Sequence, residues 1–211
     1  AISRWLIDQG VKLIVVACNT ATAAALEYLQ TSLDVPVMGV MGPESRAAAQ
    51  TTRARRVGLL ATDATVASGS YERMIHANDA GVTVTSVACP RLAPAIQAGT
   101  EWGDDMMRMI RDYTDPLREA EVDTVILGCT HYPMVEKILR RQLPGVSIIK
   151  AGEELARDVG ETLARRGLLH RPGSEGTYRF ACSGDVASFR TVGSRFLQMP
   201  MDEVERVDPE G

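Results

Sequence analysis

Leu13-Ile14-Val15-Val16-Ala17-Cys18-Asn19-Thr20 and Val125-Ile126-Leu127-Gly128-Cys129-Thr130-His131 follow one pattern written twice. Each is an apolar run that stops at a small residue and a cysteine, with a threonine close behind. Sequence of helical character continues from each, over residues 21–30 and 135–141. Continuous Val/Ile/Leu runs that feed helices read as parallel strands covered on both faces. The pattern puts each cysteine at the carboxyl end of a strand, near the positive end of the next helix. Such a position is expected to lower a thiol from its free pKa of about 8.5 and to favour the reactive thiolate.

Working outward, further strands are expected over residues 35–40, 57–61, 82–87, 124–127 and 147–149. Helical stretches fall between them, over 2–9, 44–51, 67–78, 103–120 and 153–166. Strands alternating with helices specify an α/β fold built on mostly parallel sheets. Ligand sites in such folds lie at the carboxyl ends of the strands. Both cysteine motifs sit there, as do residues 61–65 and Ser183-Gly184-Asp185, the last read as a turn and helix cap.

The 211 residues are 45% hydrophobic and 24% charged, with a formal charge of −4. That balance gives no general attraction to nucleic acid. No apolar segment approaches the roughly 20 residues needed to span a bilayer, and the start lacks signal-peptide character, so a cytoplasmic location is expected. The four cysteines, 18, 89, 129 and 182, are far apart and form no CxxC pair. They are read as free thiols rather than zinc ligands, with Cys89 and Cys182 as buried packing residues. His76 and His170 read as surface or internally satisfied histidines, and Met106, Met107 and Met109 as core.

Ala17-Cys18-Asn19-Thr20-Ala21 and Leu127-Gly128-Cys129-Thr130-His131-Tyr132-Pro133 closely resemble the two signature motifs of the bacterial glutamate racemases, within the aspartate/glutamate racemase superfamily. Ala61-Thr62 through Tyr71, Cys89-Pro90-Arg91-Leu92 and Phe180 through Phe189 are similar to secondary motifs of the same family. The resemblance implies two pseudo-symmetric α/β domains around a cleft, one from residues 1–40 plus 150–211 and the other from 41–149. It implies cofactor-independent interconversion of L- and D-glutamate, no metal, a homodimer, and D-glutamate supplied for peptidoglycan.

The chemistry agrees with that implication. Racemisation removes the α-proton from one face of a carbon and returns one to the other, which needs two acid/base groups on opposite sides. By resemblance these are Cys18 and Cys129, with His131 handling protons beside the second. Asn19, Thr20 and Thr130 would bind the substrate's backbone groups, since hydroxyls and helix-start amides suit an anion. Thr62 and Thr65 map onto a threonine-rich loop near the substrate, though both could equally cap the following helix. A single cysteine after a buried strand is usually an apolar filler. Two with the same flanking threonine, one with His131, argue against that.

Three departures stand out. The family opens with a strand ending in an Asp-Ser-Gly motif, followed by a Pro-Tyr-Gly segment, and these residues contain neither. On the resemblance, Cys18 then lacks an aspartate partner. Gln97 stands where relatives usually carry glutamate, and Ala61 where they carry glycine. Two other readings remain open on the sequence alone: an inactive racemase-like binding or regulatory protein, and a sibling racemase acting on another acidic amino acid or a hydantoin.

Overall fold

The computed structural model describes residues 1–99, 103–150, 152–170, 173 and 176–208. Its central feature is a four-stranded parallel sheet, ordered β4 (Thr83–Ala88), β3 (Arg56–Ala61), β5 (Thr124–Gly128), β6 (Ser147–Lys150). β3 and β5 are buried along almost their whole length, as their unbroken apolar sequence requires. Their side chains alternate between two cores. Leu60, Val125 and Leu127 face a cluster with Leu92, Ile110, Leu117 and Tyr132. Val57, Leu59, Ala61 and Ile126 face a second with Val40, Met41, Tyr71 and Ile75. This period-two division is what a sheet sandwiched between helices must do.

Two smaller parallel sheets come from the flanking sequence: β1 (Ile14–Val16) with β2 (Val37–Gly39), and β7 (Phe180–Cys182) with β8 (Val204–Arg206). Ten α-helices are described, of which five position the site: α2 (Asn19–Ser32), α3 (Met41–Thr51), α5 (Ser70–Asn78), α6 (Leu92–Gln97) and α10 (Val186–Leu197). The expected α/β class with parallel sheets is the observed one. As expected, Met106 is buried, with Met107 and Met109 packed against the first core.

The sequence expectations need correcting in four places. The helix expected over 67–78 is two, Asp63–Ala67 and α5, divided where Gly69 takes a left-handed φ of 61°. The segment after Cys129 does not run straight into a helix. Tyr132–Val135 form a 3₁₀ turn containing Pro133, and the α-helix begins only at Glu136. α6 was not anticipated, and of α10 only its cap at Asp185 was. Nor were β7 and β8, whose partly exposed residues carry no continuous apolar signal.

Strand ends are aligned. Ala61 pairs with Ala88 on one side and Gly128 on the other, so Thr62, Cys89 and Cys129 emerge side by side at one sheet edge. Val16 pairs with Gly39, which brings the first turns of α2 and α3 together. The small residue before Cys129 has a physical cause. A Cβ at Gly128 would lie 2.8 Å from Leu59 Cδ1 and 3.1 Å from the Leu60 carbonyl oxygen, which cannot move aside. Gly128→Val should therefore cost about 2–3 kcal/mol through overpacking. Urea unfolding measures this, and an unchanged midpoint would contradict it.

Candidate active site

Cys18 lies exposed at the N-cap of α2, where its sulfur accepts the Ala21 amide at 3.5 Å. Two residues on, Thr20 turns its hydroxyl to another part of the fold. Its Oγ1 is 2.9 Å from Thr62 Oγ1 and 3.0 Å from Thr65 Oγ1, and these two are 3.0 Å apart. Three hydroxyls thus close a triangle between α2 and the end of β3. Thr62 also accepts the Thr65 amide at 3.3 Å, so it caps its helix as well as joining the triangle. The two readings of Thr62 are compatible.

Cys129 is partly buried at the end of β5. His131 Nδ1 is 3.7 Å from its sulfur, and His131 Nε2 is 3.3 Å from Gln97 Oε1. With Gln97 presenting its carbonyl oxygen, Nε2 carries the ring proton and Nδ1 is left as an acceptor facing the thiol. Phe196 of α10 packs edge-on to the imidazole with centroids 5.1 Å apart. Arg195 donates to the Ile96 and Gln97 carbonyls at 3.0 and 3.1 Å, so α10 holds the end of α6 in place. Thr130 is exposed, with Oγ1 3.5 Å from His131 Nδ1.

The electrostatics correct the expectation of a lowered thiol. Burial raises Cys129 above its ordinary value, and a charge on Cys18 would raise it further, against the His131 amide and the Thr130 hydroxyl, which favour the thiolate. No α-helix starts at its sulfur to offset burial, since the next begins only at Glu136. Burial also lowers His131, so both shifts favour a neutral thiol beside a neutral imidazole over an ion pair.

Two cavities with shared lining open near this pair. The smaller, about 260 Å³, is lined by Gln97, Thr130, His131 and the Ser188–Phe196 face of α10. The larger, about 790 Å³, shares Gln97, Ser188 and Phe189 with it and extends to Trp5, Cys182 and Asp185. Cys182 is therefore partly exposed on a cavity wall, not a packing residue as expected. Cys89 is buried as expected, and desolvation pushes its thiol up to about 12. His76 is internally satisfied, with Nε2 2.9 Å from the Val82 carbonyl. Asp185 caps α10 by accepting the Ser188 amide at 2.7 Å.

Asn19 is buried and points away from solvent. Its Nδ2 donates to Tyr71 Oη at 2.5 Å and to Glu44 Oε2 at 3.1 Å, and Tyr71 Oη donates to the same carboxylate oxygen. All three side chains are 2% exposed or less. Sequence reasoning missed Glu44, which reads as an ordinary first-turn acid of a helix. Tyr71 was visible only as the end of a secondary motif. Burial raises the Glu44 carboxyl to about 7, and the hydrogen bonds from Tyr71 and Asn19 only partly oppose it.

This shift fixes the sign of a pH effect. In the unfolded chain Glu44 releases its proton near the ordinary value of about 4.3. Between there and pH 7 the folded protein retains a proton that the unfolded chain has lost. The group's contribution to stability is thus complete below about 4.3 and disappears as pH rises through 7. From pH 5 to pH 8 the protein should lose about 3 kcal/mol that Glu44→Gln does not lose. Urea unfolding of both proteins at the two pH values checks this, and parallel pH dependences would contradict it.

Comparison with known proteins places this geometry. A family model described as Asp/Glu/Hydantoin racemase matches residues 1–159. A glutamate racemase of Shouchella clausii is 37% identical over 206 residues, covering 98% of this chain and 75% of that protein. The crystal structure of the glutamate racemase isoform RacE1 from Bacillus anthracis superposes with a TM-score of 0.93 at 35% identity, over 99% of this chain and 78% of that one. That of the Francisella tularensis glutamate racemase in complex with D-glutamate gives 0.90 at 29% identity, over 98% and 77%. With a family match over three quarters of its length and the same fold throughout, the chain belongs to the Asp/Glu/Hydantoin racemase family.

Proposed function

We propose that the protein is a glutamate racemase that interconverts L- and D-glutamate without a cofactor, using Cys18 and Cys129 as its two bases. The observation that carries this reading is the threonine triangle, which ties the helix behind Cys18 to the strand edge from which Cys129 emerges. The bound D-glutamate of the Francisella tularensis relative supports the choice of substrate.

On this reading one thiolate takes the α-proton, the electron pair of the broken Cα–H bond moves into the α-carboxylate, and the opposite thiol delivers its proton to the other face. Atoms and charge balance, with the two sulfurs exchanging protonation states in each turnover. Cys129, raised by burial, starts as the thiol and serves as proton donor. The reverse direction starts from the Cys129 thiolate and Cys18 thiol that each forward turnover leaves; from the starting state, His131 Nδ1 accepts the Cys129 proton while exposed Cys18 takes one from solvent. Thr20, Thr62 and Thr130 contact the amino-acid backbone, where charge develops on the carboxylate, while buried Thr65 and the Asn19 amide, whose hydrogens go to Tyr71 and Glu44, hold these groups in place.

The same reading divides the chain into two α/β units, residues 1–40 plus 150–211 and residues 41–149, with the substrate between them. It makes the enzyme a cytoplasmic homodimer that supplies D-glutamate to peptidoglycan. Its cysteines are all free thiols, which suits a reducing compartment. No helix among the described residues is long and apolar enough to cross a membrane.

Circular dichroism of purified protein with each glutamate enantiomer measures racemisation directly. Cys18→Ala and Cys129→Ala should each lower kcat/KM by about 10³-fold in both directions. Full racemisation by either variant would sink the two-thiol reading.

A further inference from the structure

Glu44 is an expensive residue for a fold to keep. A buried carboxylate costs several kcal/mol unless a cation or several donors compensate it. Among the described residues no ion pair reaches it. Arg46, on the same helix, is engaged with Asp158 at 2.9 Å. Glu44 Oε2 receives Tyr71 and Asn19, while among the described residues Oε1 has no hydrogen-bond partner, and neither has Asn19 Oδ1 or Ser45 Oγ. An apolar side chain of similar size would hold this position at lower cost if packing were its purpose.

What the carboxylate touches supplies the reason. Asn19 directly follows Cys18 and opens α2. Tyr71, on α5, shares a core cluster with Ile126 of β5, the strand that leads into Cys129, and its phenol is raised by burial, by Glu44 and, least, by a charge on Cys129. Glu44 therefore joins the residue behind one cysteine to a side chain in the field of the other. Both Asn19 Nδ2 hydrogens are spent on this network, which sets the amide's orientation; without the carboxylate, the amide is free to turn over.

We propose that Glu44 is a positioning residue of the racemase site, which acts through Tyr71 and Asn19 to fix the residue adjoining Cys18. The proposal rests on the racemase reading above. Glu44 touches no reacting atom, and its effect falls on how tightly the amino-acid backbone groups are held. Loss of an interaction made equally in the ground and transition states raises KM and leaves kcat largely intact.

The test compares Glu44→Ala, Glu44→Gln and Tyr71→Phe with the unaltered protein. Steady-state racemisation of both enantiomers is measured alongside the folded fraction from urea unfolding. Glu44→Ala should raise KM for both enantiomers about tenfold, with kcat changed less than threefold. Glu44→Gln retains an acceptor for Tyr71 and Asn19 and should restore KM to within about threefold. Tyr71→Phe keeps the core ring, removes only the bridging hydroxyl and should raise KM in the same direction, so the test survives if Glu44→Ala fails to fold. Unchanged KM in Tyr71→Phe and in every folded Glu44 variant, with kcat falling only as the folded fraction falls, would overturn the proposal. Absence of racemisation by the unaltered protein would instead refute the racemase reading itself.

Discussion

Everything at the site depends on where parallel strands stop. Ala88, Ala61 and Gly128 are mutual neighbours across β4, β3 and β5, so their next residues emerge at one level. Parallel pairing offers no tight turn at that edge, and each chain must leave toward a covering helix. Cys129, Thr62 and Cys89 are thereby brought together from sequence positions far apart. The alignment rests on close approach of β3 and β5, which the glycine at position 128 eases, since a Cβ there would come within 3.1 Å of the Leu60 carbonyl oxygen. A second alignment, Val16 with Gly39, sets α2 beside α3 and so sets Asn19 against Glu44.

The two cysteine motifs look alike in sequence and differ in structure. Cys18 is the N-cap of a fourteen-residue helix and is open to solvent. Cys129 precedes a 3₁₀ turn, is half-buried, and has a neutral imidazole in place of a helix terminus. One pattern thus produces two chemical environments, as a reaction needing one base and one acid requires. On the proposed reading the asymmetry is part of the mechanism.

β3 and β5 were legible because strands buried on both faces read as continuous apolar runs. The cysteines, Thr130 and His131 were legible because they follow such strands directly. Cys182 misled for the opposite reason. It ends a short, mixed segment, and only the fold reveals that this segment borders a cavity. Of helix α10 only the cap at Asp185 was anticipated, and none of the helix's residues is buried. Glu44 could not have been singled out from sequence, since an acid in the first turn of a helix is ordinarily a surface residue favoured by the dipole. Its burial follows from the α2–α3 alignment, a long-range consequence of the β1–β2 register. Gln97 was visible only as a departure from resemblance, and the structure explains why it bears on function: it meets the far nitrogen of His131.

The central claim is that protons are exchanged on opposite faces of one carbon by two different sulfurs. Turnover of L-glutamate in deuterium oxide, stopped at low conversion, tests this most directly. Two bases predict D-glutamate carrying deuterium at Cα while the remaining L-glutamate stays unlabelled, because the abstracting thiol does not return its proton to the face it came from. D-glutamate that retains the original proton, or deuterium entering L-glutamate as fast as D-glutamate forms, would show a single base working on both faces and contradict the account.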